Sequence, residues 1–175
     1  MFMYKVNVFR ALFAGLAVAA LGLGASAGTA AAACSPHALG LIKNLQGSWR
    51  GSGTVKPLGG AQERISCRVS YGGAEGKVAQ KISCAGTDYH FEASADVQCS
   101  DSSLSGSWAE KVANNTGSVT GKIDGSKLSL ELSSPNFTGQ IAVNVSGAAK
   151  HSLTITQFDP AAGRQVPVAT VSLTH

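Results

Sequence analysis

Charge is scarce in this sequence. Only 14% of its 175 residues are Asp, Glu, Lys or Arg while 44% are apolar, a balance that excludes a charge-rich disordered segment. Proline is scarce too: five prolines beside 21 glycines fit neither a collagen-like nor a proline-rich chain. The four cysteines, Cys34, Cys67, Cys84 and Cys99, include no C-x-x-C pair, which removes zinc ribbons and thioredoxin-type redox sites. Beyond residue 33 there is no glycine-rich phosphate loop, no H-E-x-x-H and no basic aromatic patch. No catalytic constellation remains, so the sequence predicts neither an enzyme nor a resident cofactor or metal. The formal charge of +4 drops once residues 1–33 are set aside, because Lys5 and Arg10 lie there without any acid; twelve bases then face ten acids. That balance does not point to nucleic acid.

One long apolar run is present, at the start. Lys5 and Arg10 precede an apolar stretch from Ala11 to Leu23, and small residues from Gly24 to Ala33 follow. The pattern is that of a secretory signal peptide over residues 1–33, leaving residues 34–175 as a single domain. Thirteen residues are too few to cross a bilayer, which needs about 20, and no second such run follows, so no integral membrane protein is expected. The alanine-rich composition looks bacterial and makes periplasm or secretion the expected destination. Ala31-Ala32-Ala33-Cys34 also reads as a loose lipoprotein box, but ordinary cleavage is favoured because ten small residues separate Cys34 from the apolar stretch. Gly24-Ala25-Ser26-Ala27-Gly28 matches the nucleophile elbow of hydrolases only by chance, since it lies inside the leader.

The domain opens with Ser35-Pro36, an N-cap followed by proline at the first helical position. Ala38, Leu41, Ile42 and Leu45 share one helical face, which predicts a short amphipathic helix ending near Asn44. After Gly47 the apolar period becomes 2 and stays so. The predicted strands cover Trp49–Lys56, Arg64–Tyr71, Val78–Cys84, Tyr89–Ala95, Leu104–Lys111, Gly117–Ile123, Ser126–Leu132, Phe137–Val145, His151–Ile155 and Val166–Leu173. Turn residues separate them, including Asn114-Asn115, Asp124-Gly125 and Ser146-Gly147. Eight to ten short strands in meander order, without helical crossovers, predict an all-β, up-and-down antiparallel barrel with a short N-terminal helix. The alternate faces rich in Ser, Thr, Lys and Arg must meet water, so the apolar face points inward.

Leu45-Gln46-Gly47-Ser48-Trp49, a helix running into G-x-W, resembles the opening of lipocalins and related small barrels. The longer Gly47-Ser48-Trp49-Arg50-Gly51-Ser52-Gly53 is similar to the start of nitrobindin-type haem barrels, which have ten strands. Glu63-Arg64-Ile65-Ser66-Cys67-Arg68, Ile82-Ser83-Cys84-Ala85, Leu104-Ser105-Gly106-Ser107-Trp108-Ala109-Glu110 and Gly117-Ser118-Val119-Thr120-Gly121 resemble a group of exported alphaproteobacterial proteins. That likeness implies a compartment and a lipocalin-like barrel, and carries no activity with it.

In an oxidising compartment the cysteines read as disulfides. A hairpin centred on Glu75-Gly76 sets Tyr71 opposite Gln80, Val69 opposite Ile82 and Cys67 opposite Cys84, which predicts a Cys67–Cys84 bond. Cys99 is left to pair with Cys34 or to stay free. Trp49, Tyr71, Trp108 and His151 have inward parity, as do Glu63 and Glu110, and these six are the candidate ligand-binding residues. The glycines beside the two tryptophans leave interior volume, either a cavity or a tapered, filled core. A buried carboxylate is costly unless paired, so Glu63 and Glu110 are either recognition groups or residues near strand ends that reach a partner. His151 is read either as a haem ligand, the less favoured reading, or as a hydrogen-bonded core residue. His175, last in the sequence, is expected to fray. The leading expectation is an exported, non-enzymatic module that holds a small apolar or amphipathic ligand. The alternative is a module for an envelope-protein partner, such as a periplasmic protease inhibitor, since small disulfide-linked inhibitor barrels open with a similar strand. An interior void favours the first; a solid core with a projecting Cys34–His37 segment favours the second.

Overall fold

The computed structural model describes residues 32–175 apart from residue 136. The signal-peptide reading therefore lies outside the described residues except for Ala32 and Ala33. Helix α1 spans Pro36–Leu45. The Ser35 hydroxyl accepts the Ala38 amide at 3.4 Å and Pro36 fills the first helical position, where no amide partner exists to be lost. Its stripe of Ala38, Leu41, Ile42 and Leu45 is buried as the spacing predicts.

Ten strands follow: β1 (Gly47–Val55), β2 (Glu63–Gly72), β3 (Lys77–Ala85), β4 (His90–Ser100), β5 (Ser103–Glu110), β6 (Asn115–Asp124), β7 (Lys127–Ser134), β8 (Phe137–Val145), β9 (Lys150–Asp159) and β10 (Arg164–Thr174). Each pairs antiparallel with its sequence neighbour, and β1 also pairs with β10. The sheet closes on itself and keeps no free edge. This is the all-β barrel with a short helix that the period of 2 predicts. Gly51 and Gly53 make the last pairing possible, because a Cβ at either would run into the Ser172 or Thr170 carbonyl of β10. Their absent side chains serve strand approach, a different task from opening the interior. Register slips between Pro167 and Ala169 in β10, and there the freed Val168 carbonyl accepts Lys56 N–H at 2.7 Å.

The meander puts the turns after β2, β4, β6 and β8 at the end where α1 enters. Three ties hold the helix there. Cys34 is bonded to Cys99, whose Cα is 5.2 Å away. His37 Nε2 meets the Gly125 carbonyl at 2.9 Å in the turn after β6. At the far end of the helix, the His175 ring packs edge-on against Trp49 at 4.7 Å and its Nε2 lies 3.3 Å from the Gln46 carbonyl. His175, expected to fray, thus meets an aromatic ring and a carbonyl in the structure. The second disulfide, Cys67–Cys84, sits in the predicted register, with Tyr71 opposite Gln80 and Val69 opposite Ile82. Two disulfides are the bonding of an oxidising compartment. Among the described residues no helix is long and apolar enough to cross a membrane.

Candidate functional site

Inward residues differ in how deeply they are buried. Fully buried inward residues stand at both ends: Leu104, Ile123, Leu128, Val143, Val145 and Leu173 near α1, and Val55, Ile65, Cys67 and Cys84 at the opposite end, where Tyr89, Phe91, Leu132, Phe137 and Gln157 are only half-buried. Helix α1 stoppers one end; the other is closely packed on the side of β1–β3 and looser on the side of β4 and β7–β9. Between the two ends lies a cavity of about 80 Å³. That is several times what one water requires. Leu45 of α1 closes its inner end, and Ile82, Phe91, Trp108, Leu130 and Ile141 are among its walls. No aspartate, glutamate, lysine or arginine is among the described residues that line it.

Trp108 lies in the wall, with the Phe137 ring edge-on at 5.6 Å. It stands opposite Gly117 of β6, where an added Cβ would run into the Ser133 carbonyl of β7 and come within 2.8 Å of the indole Nε1. Here the missing side chain serves both strand approach and the ring. The indole N–H is buried without a partner among the described residues. Trp49, by contrast, sits under the cavity and seats the helix: its Nε1 donates to the Leu45 carbonyl at 2.7 Å, and its ring meets His151 edge-on at 4.3 Å.

At the inner end a polar chain crosses the barrel. Gln80 Nε2 donates to the Tyr71 hydroxyl at 3.3 Å, and that hydroxyl lies 3.3 Å from His151 Nε2. Tyr71 and Gln80 line the cavity, whereas His151 stands behind Tyr71 and does not. Burial pushes the Tyr71 phenol up to about 12, with the Gln80 bond acting weakly the other way, and it pushes His151 down to about 4. Both rings are neutral at ordinary pH. Because His151 Nδ1 is buried without a partner, nothing offsets the cost of placing a charge there.

The two carboxylates occupy the opposite end and serve turns. Glu110 is buried and accepts Val112 N–H at 2.6 Å and Ala113 N–H at 2.8 Å after β5. Glu63 accepts Thr87 N–H at 2.9 Å and Asp88 N–H at 3.2 Å between β3 and β4. Between them stands Tyr89, whose phenol is raised by burial first and then by the charges of Glu110 and Glu63. The six candidate residues therefore fall into a wall residue (Trp108), an inner polar group (Tyr71, with His151 and Trp49 behind it) and two turn-fixing carboxylates.

No protein-family model and no curated protein sequence matches the chain. Solved structures share its fold. The crystal structure of Rv2717c from M. tuberculosis superposes with a TM-score of 0.64, covering 81% of this chain and 98% of that one at 14% identity. The S-type phycobiliprotein lyase CPES from Guillardia theta does so with a TM-score of 0.55, covering 77% and 89% at 6% identity. At such identities the likeness establishes the barrel and nothing about chemistry.

The residues do not fit a haem. His151 lies off the cavity with Nε2 engaged by Tyr71, and a cavity of about 80 Å³ is too narrow for a flat macrocycle without side chains moving. Leu45 and Phe91 line the cavity although sequence reasoning did not select them, while Phe137, read with Gly139 as a ring beside a missing side chain, touches the site through Trp108. The signal of Leu45 was the helical stripe and that of Phe91 inward parity, both shared with core residues, and only closure of the barrel distinguishes wall from core.

Proposed function

We propose that the protein is an exported, non-enzymatic carrier that holds a small apolar or amphipathic ligand inside its barrel. The observation that carries this reading is the apolar cavity closed at its inner end by Leu45 of α1 and bordered toward the other by the half-buried Phe91 and Leu132. The Guillardia theta neighbour is a lyase, so an enzyme is the natural rival; the lack of any charged side chain among the described lining residues favours a carrier. A protease-inhibitor role needs a free N-terminal arm. Here the segment Cys34–His37 is tied down by the Cys34–Cys99 bond, by Ser35 N–H donating to Asp101 at 2.8 Å, and by His37. The disulfides together with the signal-peptide pattern of residues 1–33 support periplasm or secretion, and the Ser/Thr-rich outward faces support a protein that lives in water.

Titration with 1-aminoanthracene, read by energy transfer from tryptophan, tests the carrier. Saturable binding is expected, and Trp108→Ala should weaken it while leaving the barrel folded. A filled core gives the opposite pattern: no binding, with Trp108→Ala costing about 3 to 5 kcal/mol of stability.

A further inference from the structure

At its inner end the cavity has a polar pair, Gln80 and Tyr71, and it is uncharged. Gln80 comes from the first half of β3 and its cross-strand neighbour Tyr71 from the last residues of β2, so their contact lies on the α1 side of the cavity. Phe91 and Leu132, half-buried, stand nearer the opposite end. A primary amide has two donors and an acceptor with two lone pairs, and one bond to Tyr71 leaves most of that capacity unused. A ligand group reaching this depth meets an amide and a phenol, with no cation beside them.

We propose that the cavity takes a slender apolar molecule bearing one uncharged polar group, such as a long-chain alcohol, aldehyde or amide, and binds it head-inward against Gln80, rejecting the matching carboxylate. The proposal rests on the carrier reading and adds the chemistry and the direction of the ligand. A carboxylate at Gln80 would be desolvated among apolar walls with no lysine or arginine to pair it. Tyr71 and His151 do not rescue it, since the phenol is occupied at both sides and the imidazole is held neutral by burial behind it. An alcohol asks for much less. It exchanges bonds to water for bonds to the amide and leaves the chain of neutral groups intact. The head goes inward because Gln80 beside the stopper offers both donors and an acceptor, whereas the wall toward the other end offers a single donor, the Trp108 indole N–H, among rings and aliphatic side chains.

Competition at pH 8 tests this, with 1-octanol, octanoate and octane each displacing 1-aminoanthracene from the full barrel. Octanol should displace the probe at least about tenfold more effectively than octanoate. Gln80→Met, close in volume and unbranched, should weaken octanol about threefold or more relative to octane. Octanoate binding as well as octanol, or Gln80→Met leaving the octanol-to-octane ratio unchanged, overturns the head-group assignment while the carrier stands. Failure of 1-aminoanthracene itself to bind the folded protein overturns both.

Discussion

Replacing His151 by phenylalanine should abolish one specific component of acid sensitivity. The ring titrates near 6.5 in an unfolded chain and only near 4 in the fold, where burial disfavours its charged form. As pH falls, the unfolded chain takes up this proton first. Stability contributed by the neutral ring is thus fully present above about pH 7 and is lost progressively between pH 6.5 and 4. At pH 4.5 the two values correspond to a loss of about 2.5 kcal/mol, and the full loss below both is about 3 kcal/mol. Phenylalanine keeps an aromatic ring against Trp49 but has no proton to bind. Urea unfolding of both proteins at pH 7.5 and pH 4.5 reads the effect as a difference of differences, from which carboxylate titrations common to both cancel. The variant should gain on the wild type by about 2.5 kcal/mol on going to pH 4.5. A gap constant to within about 0.5 kcal/mol would refute the reasoning, because it would mean that His151 accepts a proton without penalty and that its surroundings are wet.

Removing Cys34 and Cys99 together should cost more than removing Cys67 and Cys84. The chain-entropy model gives about 4 kcal/mol for a separation of 65 residues and about 3 kcal/mol for 17, read by denaturant midpoints; the reverse order would show that native packing outweighs loop closure. Glu110→Ala strips two turn amides of their acceptor and should destabilise by about 1–3 kcal/mol, with amide exchange accelerated first at Val112 and Ala113. Gly53→Ala forces a methyl group against the Thr170 carbonyl and should cost more than about 2 kcal/mol, with exchange protection falling in β1 and β10 before the other strands; unchanged protection there would place the strain elsewhere.

Much of the fold is legible in the sequence because each level of it repeats one local rule. Alternation at Ile65, Cys67, Val69 and Tyr71 defines a strand and its inward face without reference to anything distant. The Glu75-Gly76 turn, with φ of 54° and 81°, then fixes the facing residues of the next strand. Ser35-Pro36 marks the helix start equally locally. What alternation cannot tell is depth along the barrel axis. Trp49 and Trp108 both point inward, yet one seats the helix and the other walls the cavity, because β1 begins at the stoppered end whereas Trp108 lies near the far end of β5. For the same reason Glu63 and Glu110 share inward parity with core residues. Only their places at a strand start and a strand end let turn amides satisfy them. His151 reads as a hydrogen-bonded core residue in preference to a haem ligand, but its partner cannot be named from the sequence because Tyr71 is 80 residues away.

The pairing of β1 with β10 has a consequence for how the chain acquires its shape. Every other junction joins strands adjacent in sequence, so nine of the ten can zip up as the polypeptide emerges. The tenth joins Arg50 to Thr174 and Val55 to Ala169, across more than a hundred residues. Until those last residues arrive, β1 carries a bare row of amides and carbonyls, weakened in its grip on strangers by Gly51 and Gly53. Contacts of such long sequence separation make folding slow. The two disulfides lie wholly within residues 34–99, so both can lock the first half of the meander before the circle is complete. A chain halted before residue 164 would then be a covalently stapled, half-wound sheet with an open flank, ready to pair with a second copy of itself.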